Sequence, residues 1–561
     1  MTGSTIAPRD PRKVMTLARM GSFHQCRLSF MRILLRRLKR EGWRFDRPRF
    51  DIDARGVGVA VYAAHGPRNS YSLVAFANDL PPEKRSDRVI ATEWDATFTL
   101  FDGVPGEDDI ARLARNIPLQ EAGRVSQSEL SVSRANRSVR LWDHVVERLS
   151  TGRQPDPEMI EDVGYLMRTT AVYGSGKLGA ADREWTENRP EFRAPFQIEM
   201  LSVYLTRAFV LDLVDHMAKV RAPGKAVSLA PEMRRRLGIG NSTGLGMAPF
   251  LINHPVLLHS WIAAREKALA RVRALPRIGA DAAQALRALA ARAHAEVDSW
   301  QSAHPLQVEK LARLRADMRA LCDHLETADL AGALPLDALY IWGEAQLGID
   351  GQELLVSLML EPFPDLVDPL AEAMHADEAN TTRIDGTMST ARLRAIVEDV
   401  YDWALAIDWD DPGAQANVWY TSEEKLEPRL GGREEPGIAA YEQPLCPGRD
   451  AARMHRDLAG APDTSVGAFL MRFPQHRHIA RRAQIAARFP YAEIRDNTIG
   501  ADLLPIDLLR AKLAFFGAGH FDPRSDRWVR INMYRNAPLP AELSQVAADD
   551  WSLPALERTM S

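Results

Sequence analysis

The chain has 561 residues, of which 46% are hydrophobic and 26% are charged. This globular composition can bury a substantial core, and the length predicts about three or four domains. The 71 basic and 75 acidic residues give a net charge of −4, which argues against nucleic acid as a general partner of the whole chain. No apolar run approaches roughly 18 residues, so we expect no membrane span.

The three cysteines, Cys26, Cys322 and Cys446, are far apart and belong to no CxxC motif. This pattern argues against a disulfide framework and a thiolate zinc site, and it favours a reducing compartment. We therefore expect a cytoplasmic protein, although the Arg-rich, acid-poor N-terminal region would also fit a transit peptide. No HExxH motif or calcium-binding loop is present, so we expect no metal site, and no motif identifies a cofactor.

The N-terminal part combines a basic helix with β-type segments. Residues 22–41 have apolar side chains at helical spacing and Arg or Lys at most other positions, which predicts an amphipathic helix. Residues 57–62 and 71–76 flank a turn-rich segment and predict a hairpin. Residues 88–92 and 96–101 predict two further strands. We expect a small antiparallel sheet here.

From about residue 107 onward the sequence pattern is mostly helical. Three helices are predicted within residues 134–150, 157–170 and 195–220. Residues 255–328 have high intrinsic helix propensity, and the breaks at Pro276 and Pro305 predict three helices of a bundle. Proline and glycine are frequent in residues 410–465, which is typical of a functional or flexible connection.

These elements predict an α+β fold that is predominantly α-helical, with the small N-terminal antiparallel sheet packed on a multi-helix body. We expect four regions. They are the basic helix and sheet (1–106), a helical region with two glycine-rich loops (107–254), a helical bundle (255–408), and a Pro/Gly-rich region with a mixed C-terminal segment (409–561). The sequence predicts no particular oligomeric state.

The most unusual segment is a glycine-rich run at residues 237–250. Its glycines and the polar residues between them are Gly238, Gly240, Asn241, Ser242, Thr243, Gly244 and Gly246. Glycine lets a ligand approach the main chain, and successive N–H groups can form a concave anion site. The alternative is that the glycines only let a buried loop pass between helices. We expect the amides of residues 240–244 to bind an anion.

A second glycine-rich segment spans residues 168–179. Its candidate binding residues are Arg168, Gly174, Gly176 and Lys177. The segment is not a phosphate loop, because Ala171 replaces the first motif glycine and Leu178 follows the lysine. It could still hold a carboxylate or phosphate through a lysine charge and a guanidinium fork, unless it is only a glycine helix cap. We expect both glycine-rich loops to face one cavity.

Candidate acid–base residues lie on and after the 195–220 helix. Asp212 and His216 are four residues apart, and a histidine oriented by an acid can act as a general base. His254 and Glu199 are further candidates for moving a proton. The alternatives are a solvated Asp–His pair and a histidine that is hydrogen-bonded at a helix start.

The leading hypothesis is a cytoplasmic enzyme, a lyase or transferase, that acts on a small anionic metabolite such as a carboxylate or phosphate. The rival hypothesis is a non-catalytic interaction protein whose basic helix at residues 22–41 binds a partner protein or nucleic acid. Internal pairing of Arg32, Arg36 and Arg40 would argue against this rival. Separation of the two glycine-rich loops would argue against the enzyme.

Overall fold

The structure is a computed structural model. It describes residues 6–84, 93–119, 124–169, 189–241, 254–300, 305–374, 385–411, 417–421, 426–431, 447–461, 463–495, 510, 512–518, 520–521, 531–548 and 551. In chain order, strands β1 to β11 are Arg44–Ile52, Gly58–His65, Ser70–Ala77, Ala96–Asp102, Glu129–Arg137, Tyr165–Thr169, Gly238–Asn241, Asn417–Thr421, Leu426–Gly431, His520–Phe521 and Ile531–Met533.

The described helices are numbered α1 to α18. In chain order they are Pro11–Val14, Phe30–Arg40, Glu107–Leu113, Trp142–Ser150, Pro157–Val163, Gln197–Arg221, Pro231–Arg236, Pro255–Arg273, Ala280–Ser299, Pro305–Thr327, Pro335–Gln346, Ile349–Met359, Pro364–Val367, Thr390–Val400, Asp402–Leu405, Pro447–Gly460, Val466–Arg472 and Arg477–Arg488. The prediction of a mixed and predominantly helical chain is confirmed. No helix in these ranges is both long and apolar enough to span a bilayer.

The chain forms two compact units, and one of them contains the main sheet. This unit consists of the described residues of His24–Thr243, Leu513–Asp522 and Trp528–Ser561. Its nine strands have the order β1-β2-β3-β4-β5-β6-β7-β11-β10. Neighbouring strands run antiparallel, except that β6 and β7 run parallel.

The prediction of a small sheet was wrong, although β2, β3 and β4 lie where the sequence places them. The predicted strand at 88–92 lies outside the described residues. The predicted helix at 134–150 begins as strand β5, and the predicted helix at 157–170 is α5 followed by β6. Gly164 separates these two elements, because its φ of 71° caps α5 in the left-handed conformation. β7, β10 and β11 are too short to show strand alternation in the sequence.

Apolar side chains cover both faces of this sheet. Phe209 of α6 packs edge-on against Tyr62 and Phe98, with ring centroids 6.2 and 5.6 Å apart. On the opposite face, Ile110 and Leu113 of α3 join an apolar cluster with β2 to β5. Because side chains alternate between the two faces along each strand, one face of the sheet packs against α6 and the other against α3.

The other unit contains most of the helices and consists of the described residues of Met1–Phe23 and Gly244–Lys512. The break at Pro276 lies between α8 and α9, and α10 begins at Pro305, so the three-helix prediction is confirmed. Helices α14 to α18 surround a separate apolar cluster in which Leu393, Met454 and Ile479 are buried. The sequence predicted four regions, whereas the described chain forms two compact units. The division into four regions therefore stays a prediction.

A buried ion network joins the N-terminal segment to the helical unit. The Arg9 guanidinium donates to Glu266 of α8 at 2.7 and 2.9 Å and to Glu353 of α12 at 2.8 and 3.2 Å. Arg19 also donates to Glu353, at 3.0 Å, and Arg265 donates to Glu266 at 2.9 Å. Both carboxylates are fully buried, so their charges depend on these arginines.

Candidate functional site

β6 and β7 run side by side and lead into the two glycine-rich segments. In the parallel register, Arg168 pairs with Gly240 and Thr169 pairs with Asn241. The carboxyl ends of parallel neighbours meet at the same edge of a sheet. The two segments therefore begin from adjacent positions on this edge. The predicted residues that lie outside the described chain are Gly174, Gly176, Lys177, Ser242, Thr243 and Gly244.

The first glycines of the 237–250 run form a strand rather than the expected loop. Gly238–Asn241 is β7, and its backbone pairs with β6 on one side and β11 on the other. A Cβ on Gly240 would lie 2.6 Å from Cγ of Tyr165, and one on Gly238 would lie 2.5 Å from the carbonyl oxygen of Met533. These two glycines therefore permit close packing inside the sheet. This role does not depend on any ligand of the residues that follow.

Polar residues of three strands line up with Gly240 of a fourth strand beside this edge, and we call them the polar row. Asn136 pairs with Arg168, Arg168 pairs with Gly240, and Gly240 pairs with Asn532. Side chains at paired positions of neighbouring strands lie on the same face of a sheet. Asn136, Arg168 and Asn532 are at most 3% exposed. The register therefore gathers buried polar side chains from β5, β6 and β11 around Gly240.

Two residues that neighbour Gly240 each have a buried polar atom with no hydrogen-bond partner in the described part of the chain. The two atoms are Oη of Tyr165 and Oδ1 of Asn532. The Asn532 side chain is held in place because its Nδ2 donates to the carbonyl of Val163 at 3.4 Å. An unsatisfied buried polar group costs about 1–3 kcal/mol, and such atoms also occur at other buried positions of the described chain, for example at Thr97. A bound molecule with complementary polar groups would remove this cost.

Arg134 of β5 lies two residues before Asn136 and therefore faces the same side of the sheet. Its carbonyl accepts a hydrogen bond from Oγ1 of Thr169 at 2.9 Å. Its guanidinium lies over the Trp94 ring, 4.0 Å from the centroid, and its Nε has no hydrogen-bond partner among the described residues. Burial lowers the pKa of Arg134. This arginine is a second cation near the carboxyl edge of β6.

The structure does not bring the three predicted acid–base residues together. Glu199 lies in the first turn of α6 and is 3% exposed. His216 lies 17 residues later on the same helix, about 26 Å away along its axis. His254 precedes α8 and belongs to the helical unit. Their catalytic roles stay predictions, and Glu199 and His216 cannot both contact one small substrate.

His216 is not oriented by Asp212, although the two are one helical turn apart. Its Nε2 lies 3.1 Å from the carbonyl oxygen of Asp53. The Asp212 carboxylate instead accepts hydrogen bonds at 2.8 to 2.9 Å from three other side chains, which are Arg47, Tyr62 and Arg234. Asp212 therefore connects β1, β2 and α7 to α6, which is a structural role.

The basic helix predicted at 22–41 is α2, Phe30–Arg40, and most of its surface is buried. Arg32 and Arg37 are 1% and 4% exposed, and Arg36 donates to a backbone carbonyl at 2.8 Å. Arg40 is the exposed arginine of the helix, with 66% of its side chain accessible. Most of the positive charge on α2 is thus directed into the protein.

An open groove of about 480 Å³ lies between the β1–β3 edge and α3. The arginine on its rim, Arg49, already donates to Glu107 at 2.9 and 3.0 Å and to Asp51 at 2.6 Å. The groove therefore offers no spare cation for an anionic ligand. The described residues also contain no group of three side chains that could hold a metal ion.

These observations define a mixed α/β protein with a buried polar row at a change of strand direction. Comparison with protein-family models, curated proteins and solved structures finds no match to this chain. Sequence reasoning selected Arg168, Gly240 and Asn241 but missed Tyr165, Arg134 and Asn532. The glycine that follows α5 was a signal for the strand that contains Tyr165. No local pattern marks Asn532, because its place in the row depends on pairing between distant segments.

Proposed function

We propose that this protein is an enzyme that binds a small anionic metabolite, a carboxylate or a phosphate, at the carboxyl edge of β6 and β7. The observation that carries this proposal is the pairing of Thr169 with Asn241. Through this pairing, the glycine-rich segments that follow both strands begin side by side. Ligands of sheets with parallel strands commonly bind outside the carboxyl ends, where the strand topology changes. The antiparallel neighbours β5 and β11 make β6–β7 such a position.

Arg168 is the cation expected to contact the ligand. A guanidinium stays charged and can bind a carboxylate or phosphate through two parallel hydrogen bonds. Oη of Tyr165 could donate a further hydrogen bond, and Oδ1 of Asn532 could accept one from a hydroxyl or amine of the same ligand. Lys177 and the amides of residues 242–244 would complete the site.

Among the proton-transfer candidates, Glu199 has the most support. It is buried and belongs to the same unit as Arg168, and a carboxylate shielded from water can act as a general base. His216 already contacts the Asp53 carbonyl. A lyase or transferase reaction remains the proposal for the chemistry. The cysteine pattern supports the proposal of a cytoplasmic location.

The test is a thermal-shift titration with inorganic phosphate, pyrophosphate, citrate and a panel of 2- to 6-carbon carboxylates. We expect at least one anion to raise the unfolding midpoint, because a ligand at about 100 times its Kd stabilises the folded state by about 2.7 kcal/mol. Tyr165→Phe should weaken that ligand about 10-fold, because one hydrogen bond is lost. The unliganded variant should be at least as stable as the wild type.

The matched control is Tyr62→Phe, which removes a hydroxyl that donates to Asp212 at 2.8 Å. This variant should lose stability without ligand and keep the wild-type ligand shift. The proposal is wrong if no anion in the panel stabilises the wild type. It is also wrong if Tyr165→Phe and the wild type bind the active anion equally well.

The alternative proposal, a non-catalytic protein that uses α2 to bind a partner, has less support. Arg32 and Arg37 are buried, so they could reach a partner only if α2 left the protein interior. Phe30, Leu34 and Leu35 are also at most 1% exposed. Moving the helix would expose all of this apolar surface to water.

A further inference from the structure

A cluster of exposed arginines lies on three neighbouring helices of the helical unit, α16, α17 and α18. We call it the arginine surface, and its members are Arg453, Arg456, Arg472, Arg477 and Arg488. The three helices pack around one apolar cluster, which contains Met454 of α16, Phe469 of α17 and Ala480 of α18. The arginines lie on the side of each helix that is open to solvent.

The arginines of α18 form a line along the helix. Arg477 and Arg488 are 11 residues apart, which is three turns plus about 20° on an α-helix. Arg481 lies between them and is also exposed. On α16, Arg453 and Arg456 are three residues apart and therefore adjacent on the helix surface. Each of the two helices thus presents a line of guanidinium groups to solvent.

The acidic residues of α16 are directed toward the contact between α16 and α18. Asp457 lies 2.7 Å from Nε2 of His476, which immediately precedes α18, and Asp450 lies 3.2 Å from Nε2 of His478. Within the described chain, no carboxylate lies within ion-pair distance of any member of the arginine surface. The charge of this surface is therefore not neutralised by its own helices.

The composition of these helices differs from that of the whole chain. Together α16, α17 and α18 contain eight arginines, two aspartates, and neither lysine nor glutamate, which gives a net charge of +6 with neutral histidines. Of these arginines, Arg482 lies inside the protein and is paired with Glu493, which is outside these helices. The complete chain has a net charge of −4. A concentrated positive surface on a weakly acidic protein indicates a local anionic partner.

The exclusive use of arginine favours phosphate over carboxylate as the partner's charge. A guanidinium matches phosphate with two hydrogen bonds and can also stack on planar groups, whereas lysine acts as a point charge. Two guanidinium groups already lie over aromatic rings, Arg472 over Phe473 and Arg488 over Phe489, each 5.3 Å from the ring centroid. Such contacts attract the guanidinium group to the ring.

We propose that the arginine surface of α16, α17 and α18 binds the phosphate backbone of a nucleic acid without reading its sequence. The repeated charges along two neighbouring helices match a partner whose charges also repeat along a line. The surface is built entirely from the helical unit and does not involve the β6–β7 edge. This inference is therefore independent of the proposed enzymatic function.

Fluorescence polarisation with the full-length protein tests the proposal. The probes are a fluorescein-labelled 20-nucleotide RNA and a 20-base-pair DNA duplex, each titrated between 50 and 200 mM salt. We expect at least one probe to bind. Arg453→Gln/Arg456→Gln and Arg477→Gln/Arg488→Gln should each weaken binding about 10-fold at 50 mM salt. Each double variant should also reduce the slope of log K against log salt by about 1.4–1.8, because two phosphate contacts are lost.

The matched control removes two exposed arginines of α10 instead, Arg313→Gln/Arg319→Gln. It has the same net charge as each double variant and should change the affinity less than about 2-fold. An equal loss of affinity in the control would overturn the proposal, because total charge rather than this surface would then govern binding.

Two further probes separate nucleic acid from other anionic partners. Polyglutamate represents an acidic protein segment, and vesicles with 30% phosphatidylserine represent a lipid surface. Tighter binding to either of them than to both oligonucleotides, with the same dependence on the arginines, would contradict the proposal. Failure of both oligonucleotides to bind at 50 mM salt would contradict it as well.

Discussion

The ring of Tyr165 lies directly against Gly240, with room for no side chain between them. A Cβ on Gly240 would be 2.6 Å from Cγ and 2.7 Å from Cδ2 of this ring. The ring is fully buried, so it cannot move toward solvent. This contact explains one glycine of the unusual run by packing.

Gly240→Ala should therefore destabilise the protein by about 1–3 kcal/mol, the usual cost of an overpacked core. The measurement is the urea midpoint of unfolding. In a Tyr165→Ala background, the same change should cost less, because the clash is gone. Gly106→Ala is the control: its new Cβ would meet only Oδ2 of Asp109, at 3.9 Å, so the cost should stay below about 1 kcal/mol. Equal costs of Gly240→Ala in both backgrounds would contradict the packing argument.

Arg9 should be essential for the stability of the helical unit. Arg9→Met leaves two fully buried carboxylates, Glu266 and Glu353, without their principal counter-ion. Breaking a buried ion pair in this way typically costs about 3–5 kcal/mol. Calorimetry should show a lower unfolding temperature, whereas Arg313→Met, at an exposed ion pair on α10, should change stability by less than about 1 kcal/mol. A small effect of Arg9→Met would show that other groups neutralise these carboxylates.

Acid should weaken the same network over a defined pH range. Burial alone would raise the pKa of Glu353, but the charges of Arg9 and Arg265 outweigh it and lower this pKa from 4.5 to about 2. A lowered carboxyl pKa contributes stability that is present above pH 4.5 and is lost as the pH falls toward 2. Urea midpoints measured from pH 6 to pH 2.5 should fall more steeply in the wild type than in Glu353→Gln. Parallel curves would exclude Glu353 as the titrating group.

Lys512 should produce a dependence of the same sign, with stability rising with pH, in a higher pH range. The residue is fully buried, and burial lowers the pKa of Lys512 from 10.5 to about 7. The unfolded chain then binds more protons than the folded chain between about pH 7 and pH 10.5, so this group makes stability rise with pH. Lys512→Met removes that contribution. Its stability relative to the wild type should be higher at pH 6 than at pH 9, as measured by urea unfolding; a constant difference would contradict the shifted pKa.

The sequence was sufficient for the elements whose signals are local. The β2–β3 hairpin follows from two apolar runs around a turn, and the ends of α8, α9 and α10 follow from two prolines. The helix α6 follows from a long apolar pattern that ends before Pro223. Each of these signals spans only neighbouring residues, so one sequence is enough to detect it.

The site could be predicted only in part, because its remaining residues meet through long-range pairing. Arg168 and Gly240 stand in conspicuous segments, whereas Asn532 follows β7 by about 290 residues and enters the row through the β7–β11 register. The same holds for Arg9, which meets carboxylates 257 and 344 residues away. Hydrophobic periodicity within a segment cannot predict contacts between residues that are so far apart in the sequence.

The position of β11 in the sheet has a consequence for synthesis on the ribosome. About 290 residues separate β7 from its outer neighbour, which at roughly 5–20 residues per second is a delay of about 15–60 s. During that time the backbone groups on one side of a nascent strand have no partner, and such strands tend to join other chains. We therefore expect newly made protein to require a chaperone during elongation, even if the finished molecule is stable.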